Sequence, residues 1–365
     1  MFSKFFSNKT VTQESQDSIM SFLNAYQSDC FPDGILNISS VPTMVLADNC
    51  IVVNIVLPFP CDGELDDISD ALTELLDHST IIKPDYQIKP VRQHNLKSIS
   101  NIIAVTSGKG GVGKSTTAVN LAYALIAEGS SVGILDADIY GPSIPTMLGL
   151  KGQHPSSDNG KSITPLDANG LSAMSIGLLI DEEDATVWRG PMASRAFSQL
   201  LNETQWPELD YLIVDMPPGT GDIQLTLSQS VPVAAAIVVT TPQDIALTDA
   251  IKGITMFDKV KVPVLGLVEN MSYHLCENCG HQSHLFGENG GVNTAKNKNI
   301  PLLGQLPLNI EIRQDADNGR SSLLENSTSD IALLYRKLAR NVASELFYQL
   351  DARSPNTAEI CFEPK

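Results

Sequence analysis

Residues 108–115 read Gly-Lys-Gly-Gly-Val-Gly-Lys-Ser, and within them Gly108, Gly113, Lys114 and Ser115 stand at the G-x-x-x-x-G-K-[ST] spacing of a phosphate-binding loop. The chemistry of that spacing is anion capture. Gly108, Gly110, Gly111 and Gly113, with Val112 among them, let the backbone approach a phosphate closely and turn successive N–H groups into one concavity. A helix opening at the loop adds its positive end, Lys114 adds a point charge, and the Ser115 hydroxyl suits Mg²⁺, with Thr116 next in line as a nucleotide contact. The expected ligand is therefore MgATP. Lys109 is a second lysine in the same loop. Beside Lys114 it would crowd one set of phosphates, so it is expected to reach a nucleotide held by another subunit; the alternative is a solvated side chain.

Two further segments end apolar runs in acids. Ile134-Leu-Asp-Ala-Asp138 carries two carboxylates spaced to point the same way, and Tyr211-Leu-Ile-Val-Asp215 runs into Met-Pro-Pro-Gly219-Thr-Gly-Asp222. Asp215 is a candidate Mg²⁺ holder through water, and Gly219 would let its loop respond to a γ-phosphate. Asp138 is a candidate to orient the attacking water or take its proton. Helix N-capping is the plain alternative for each acid.

Cys276-Glu-Asn-Cys279 offers two thiolates that can bite one soft metal, which is half of a four-ligand set. Three completions are open. His274, His281 and His284 would close a mononuclear zinc site within one chain; the pairs of two subunits would together hold an iron–sulfur cluster; or the pair is a redox dithiol. Spacing alone does not choose between zinc and cluster. The dithiol fits less well, because such pairs open a helix in a thioredoxin-like unit and this one lies in a polar stretch.

The elements that must position these groups follow from periodicity. Residues 1–92 read as a small α+β domain, with helices over 18–26 and 65–76 and strands over 43–46 and 51–57. A polar linker follows over 93–100. From 101 to 350, apolar runs at 102–106, 132–136, 171–176, 211–215, 235–240, 264–268 and 302–305 alternate with helical segments, one of them spanning 115–128. Short apolar strands separated by helices predict an α/β fold, a doubly wound and mainly parallel sheet with ligands at the strand C-termini. Residues 351–365 read as a tail.

At 365 residues the chain exceeds one ordinary core, so a large domain with an appendage is expected. A net charge of −18 argues against nucleic acid and against an anionic membrane as partners. Met1-Phe-Ser-Lys-Phe-Phe6 lacks the apolar stretch of a signal peptide, and no run approaches the ~20 apolar residues of a membrane span, so a cytoplasmic protein is expected. Six cysteines are too few for a disulfide scaffold; Cys30, Cys50, Cys61 and Cys361 read as bystanders.

With these strings assembled, the chain closely resembles the Mrp/ApbC family of iron–sulfur cluster carriers, in the deviant-Walker-A class of P-loop NTPases (SIMIBI-type). The likeness covers about residues 99–350. It rests on Ser107–Ser115, Leu135-Asp-Ala-Asp-Ile-Tyr-Gly-Pro-Ser143, Trp188-Arg-Gly-Pro-Met192, Asp215–Asp222, Thr240-Thr-Pro-Gln-Asp244 and Glu269-Asn-Met-Ser272, followed by Cys-x-x-Cys. The resemblance implies that Lys109 acts across a nucleotide-sandwich homodimer and that Lys114 and Ser115 hold phosphate and Mg²⁺. It assigns Asp138 to the catalytic water, Asp215 to the second switch and Asn270 to the adenine. It gives Cys276 and Cys279 to a [4Fe–4S] cluster bridging two subunits. Slow ATP hydrolysis would switch a carrier whose partners are cluster assembly scaffolds and apo iron–sulfur proteins. Residues 1–92 match the cluster-assembly type of domain only weakly, and Cys61 receives no role. The rival is a positioning or partition ATPase with a structural zinc at the Cys-x-x-Cys; its basic membrane helix or DNA-binding surface has no counterpart in the ending Ala358-Glu-Ile-Cys-Phe-Glu-Pro-Lys365. A reductase of the nitrogenase iron-protein kind draws its cluster cysteines singly from separate loops.

Overall fold

The computed structural model describes residues 11–157, 162–179 and 190–351. Trp188, Arg189, Cys361 and the segments 1–6 and 358–365 named above lie outside them. The chain divides into two compact units, residues 1–89 with 128–130, and residues 90–127 with 131–365.

In the first unit, α1 (Gln13–Ala25) starts at Thr12, whose hydroxyl accepts the Ser15 N–H, five residues earlier than hydrophobic periodicity alone indicates. Strands β1 (Thr43–Ala47) and β2 (Cys50–Leu57) form a hairpin closed by Asp48 and Asn49, both at positive φ as the tight two-residue turn demands. Helix α2 (Asp62–Leu76) opens with Asp62 and Glu64 in its first turn, where the helix dipole favours acids, and buries Leu65, Ile68 and Leu72. Strand β3 (Thr80–Tyr86) then pairs in parallel with β2. Stacked Phe31 and Phe59 complete this core.

The second unit begins its sheet with β4 (Ile99–Thr106). The last two residues of the expected linker are therefore strand. Ile99 is buried and pairs with Leu209, because an apolar residue flanked by polar ones still alternates into the core. There follow α3 (Lys114–Ala127), β5 (Val132–Asp136), α4 (Ile144–Met147), β6 (Leu166–Ala168), β7 (Leu171–Ser175), α5 (Gly190–Glu203), β8 (Leu209–Asp215), α6 (Asp222–Ser230), β9 (Ala235–Thr240) and α7 (Asp244–Lys259). The chain continues through β10 (Val264–Leu275), β11 (Gln282–Ser283), α8 (Gly290–Lys298), β12 (Leu302–Pro307), α9 (Ile310–Asn318), α10 (Ser322–Glu325) and α11 (Asp330–Asp351). The sheet runs β11-β10-β9-β4-β8-β5-β7-β6, with β12 also paired to β10. All pairings are parallel except the edge hairpins β10–β11 and β6–β7.

This is the α/β, mainly parallel arrangement that the alternation predicts. Parallel strands covered on both faces must be apolar throughout, and every residue of β5 and β9 is buried. Central β4 lies between β8 and β9, so the chain leaves it at the point where the strand order diverges, which is where such sheets bind ligands. The phosphate loop occupies that point. Helix α3 is apolar nearly all round because it also packs against α11.

Candidate functional site

The loop between β4 and α3 has the shape its glycines allow. Gly111 and Gly113 sit at φ +81° and +80°, which L side chains adopt only with strain. Gly113 has a second constraint: a Cβ there would stand 2.1 Å from the Asn270 amide nitrogen. That amide donates to the Val112 carbonyl at 2.9 Å and is buried. Ser107 ties the entry of the loop through a 2.8 Å bond to the Lys109 carbonyl, and Thr117 ties its exit through 2.9 Å to the Gly113 carbonyl. Lys109 itself is only partly covered, and among the described residues no ion pair involves it.

The acids meet the loop from neighbouring strands. The Lys114 ammonium lies 2.5 Å from one oxygen of Asp215, and the Ser115 hydroxyl donates to the other at 2.5 Å. Lys114 is 6 % exposed and Asp215 fully buried. Burial raises the Asp215 carboxyl, while Lys114 and Ser115 oppose that shift. The Ser115 hydroxyl and the Asp215 carboxylate are thus adjacent hard oxygen donors, a fit for Mg²⁺. The segment after Asp215 is laced to the loop: Gly219 N–H donates to the Ser107 carbonyl at 2.9 Å, and the Gln224 amide donates to the Thr106 hydroxyl. Asp138 lies just beyond β5, partly buried, and is raised by burial with Lys114 opposing.

Strand β10 links this centre to the cysteines. The sequence locates only its first five residues; it continues through Asn270 to Leu275 and turns back as β11, with His274 opposite Ser283. Asn270, Gly113 and Thr116 line a cleft of about 580 Å³ that extends past His274 to Pro307 and Arg313. Cys276 and Cys279 occupy the tip of the β10–β11 hairpin, which is held by Cys276 N–H to the His281 carbonyl at 3.0 Å and Gly280 N–H to the Cys276 carbonyl at 2.8 Å. Backbone N–H groups of Asn278 and Cys279 point at the Cys276 sulfur and hold its thiol below the ordinary value. His284 turns its Nδ1 to the Ser272 carbonyl at 3.0 Å. Among the described residues no group of three or more His, Cys, Asp or Glu side chains is placed to hold a metal ion.

These features converge with what the chain is similar to. The family model of the NUBPL iron-transfer P-loop NTPases, in the ParA group, matches residues 98–343. The chain belongs to that family. An iron–sulfur cluster carrier protein of Haemophilus influenzae is 48% identical over 93% of this chain and 94% of its own length. The NUBPL iron–sulfur cluster transfer protein of Mus musculus is 49% identical over 70% of this chain and 80% of its own. Among solved structures, a nucleotide-binding protein of Archaeoglobus fulgidus in complex with ADP is 38% identical, with a TM-score of 0.57 over 64% of this chain and 91% of that one. The MinD cell division ATPase of Pyrococcus furiosus, at 22% identity and a TM-score of 0.52, shares the fold.

Two further buried acids, which stand in these motifs without a role of their own, flank this centre. Asp136 pairs in register with Asp215 across β5 and β8 and is fully buried. Burial first, and the Asp215 charge second, push its carboxyl up to about 8, against the pull of Lys114, the Asp138 N–H and the Ser175 hydroxyl. Glu269, also fully buried, accepts the Gly291 N–H at 2.5 Å, the Ser272 hydroxyl at 2.7 Å and the Gln305 amide at 2.7 Å. It thereby clamps β10 to β12 and α8 just where Asn270 meets the loop. An acid inside an apolar strand run was the available signal for both. Cys61 is fully buried and its thiol is pushed up by burial, the profile of an inert cysteine. No helix among the described residues is long and apolar enough to cross a membrane.

Proposed function

We propose that this protein carries iron–sulfur clusters and transfers them to apoproteins, with slow MgATP hydrolysis as its conformational switch. One observation carries the reading. A single strand, β10, holds Asn270 against the loop and leads directly into the cysteine pair at a hairpin tip, with Cys279 exposed and Cys276 partly so. Nucleotide and cargo sites built on one strand suit a carrier better than a partition ATPase with a structural zinc. The names of its relatives point the same way.

In this reading Gly108–Thr116 cradle the phosphates of ATP and Ser115 with Asp215 hold Mg²⁺, which when bound neutralises the charge that develops on the transferred phosphoryl group. Lys114 lies within reach of both Asp215 and an incoming phosphate, so nucleotide binding draws its ammonium off the carboxylate and alters the hydrogen-bonded network around the Asp215–Asp222 segment. Asp138, the outer and less buried acid, orients water for attack. Lys109 reaches the nucleotide of the other subunit in a homodimer, and Asn270 reads the adenine. Each chain contributes Cys276 and Cys279, and two chains hold one [4Fe–4S] cluster. Among the described residues the histidines of the hairpin are not grouped with the two cysteines as metal ligands within one chain. The partners are cluster assembly scaffolds and apo iron–sulfur proteins of the cytoplasm.

The test is iron, zinc and acid-labile sulfide content after anaerobic reconstitution. Cys276→Ser and Cys279→Ser should each abolish iron and sulfide, whereas His281→Ala and His284→Ala should retain them. Zinc at one per chain, lost in all four variants, would replace the carrier by the zinc reading.

A further inference from the structure

At the foot of the cysteine hairpin lies a groove of about 410 Å³ between the end of β10, the start of α9 and the start of α11. Its apolar lining includes Leu275 and Ile310, which are 46 % and 52 % exposed, together with Ile331 and Leu334. Exposed apolar side chains that line one groove together mark a contact surface, as single scattered ones do not. The groove also has a sign. Its lining holds three exposed acids, Glu277, Glu311 and Asp330, and neither lysine nor arginine. It shares a wall with the nucleotide cleft: His274, Pro307, Leu308, Asn309 and Ile310 line both.

We propose that this groove docks a basic amphipathic segment of the recipient apoprotein, so that the acceptor is seated within reach of Cys276 while its occupancy is felt in the nucleotide cleft. The partner's role as recipient rests on the carrier reading; the binding itself does not. Charge complementarity decides the occupant. A second copy docked groove to groove would set Glu311 and Asp330 against their own counterparts, whereas a basic segment is attracted and steered. Apolar residues on one face of that segment would cover Leu275 and Ile310. Because one wall serves both cavities, a nucleotide that shifts the wall changes affinity for the segment, and the segment must change affinity for nucleotide by the same factor.

The experiment uses the full-length protein and a labelled amphipathic peptide of leucine and lysine, with a leucine–glutamate peptide as its counterpart, read by fluorescence anisotropy. The lysine peptide should bind and the glutamate peptide should not. Glu311→Lys with Asp330→Lys should weaken binding about tenfold or more, and Glu311→Gln with Asp330→Asn by an intermediate factor, which guards against misfolding of the reversed variant. Asp66→Lys with Asp70→Lys, the same charge change on exposed residues of the N-terminal unit, should leave affinity within about twofold. MgATP should shift the peptide affinity by about fivefold or more, the usual floor for coupled sites. Equal losses in the two reversed pairs, binding of the glutamate peptide, or indifference to MgATP would overturn the proposal. So would a change in the sedimenting mass of the Glu311/Asp330 variants, which would make the groove an interface between copies. Iron and sulfide content at Cys276 and Cys279 is measured separately, so a failed groove leaves the carrier reading standing.

Discussion

Replacing the loop glycines one at a time by alanine should give three different answers from three neighbouring positions. At Gly110 an added Cβ meets nothing within 4 Å and φ is not positive, so Gly110→Ala should change stability by no more than about 0.5 kcal/mol. At Gly111 the space is equally open but φ is +81°, so alanine should cost about 1–2 kcal/mol for the left-handed backbone alone. At Gly113 the same backbone cost is joined by a 2.1 Å collision with the Asn270 amide nitrogen. That amide cannot swing aside freely, because it is buried and bonded to the Val112 carbonyl; displacing it strands polar groups at about 1–3 kcal/mol more. Gly113→Ala should therefore lose roughly 2–5 kcal/mol, on the order of 10 °C in melting temperature. It should also lose most of its MgATP affinity, since Asn270 and the loop form one wall of the cleft. Differential scanning calorimetry and binding of a fluorescent ATP analogue read both. If Gly113→Ala melts and binds like Gly110→Ala, the contact between Asn270 and the loop is not what shapes this site.

Further outcomes follow from the acids, the second lysine and the first. Asp136 is raised from the ordinary value near 4 to about 8, so it binds a proton in the folded state that the unfolded chain has released. Its contribution to stability is therefore complete at acid pH and falls as pH rises from about 4 through 8, by at most about 1.4 kcal/mol per pH unit. Asp136→Asn, neutral throughout, should gain on the wild type by up to about 3 kcal/mol between pH 5 and 7 in urea denaturation; parallel pH profiles would refute this. Lys109→Ala and Asp138→Ala subunits, each inactive alone, should recover ATPase activity when mixed, and failure despite proven subunit exchange removes the support for action in trans. Lys114→Ala should abolish turnover and, by leaving the buried Asp215 without its cation, destabilise the fold by about 3–5 kcal/mol; full activity would end the assignment.

What could be read before the fold was known is what is local in the chain. The phosphate loop is a run of eight residues between a strand and a helix, and its function needs only that order. The Cys-x-x-Cys is equally local. Contacts made by distant segments were not legible: the Asn270–Val112 bond spans 158 positions, and the opposition of Asp136 and Asp215 depends on how β5 and β8 come into register. Only resemblance to a family pointed at Asn270. The apolar run of β10 stops at Val268 because Glu269, Asn270 and Ser272 interrupt it, although all three are buried and bonded. Strand β3 carries no strand signal in the sequence because Lys83, Pro84 and Asp85 look like a turn, a pattern tolerated on an edge strand paired on one side.

If this chain holds a cluster in order to give it away, the cluster must pass to an acceptor protein without first being released to solution. Protein reconstituted anaerobically with iron and sulfide is mixed with an apo iron–sulfur acceptor in the presence of an iron chelator, and the acceptor's own activity or spectrum is followed. A carrier should start with one [4Fe–4S] cluster per dimer and deliver it to the acceptor despite the chelator, and Cys276→Ser should transfer none. A cluster that stays bound, or passes to the chelator before it reaches the acceptor, would contradict the carrier reading.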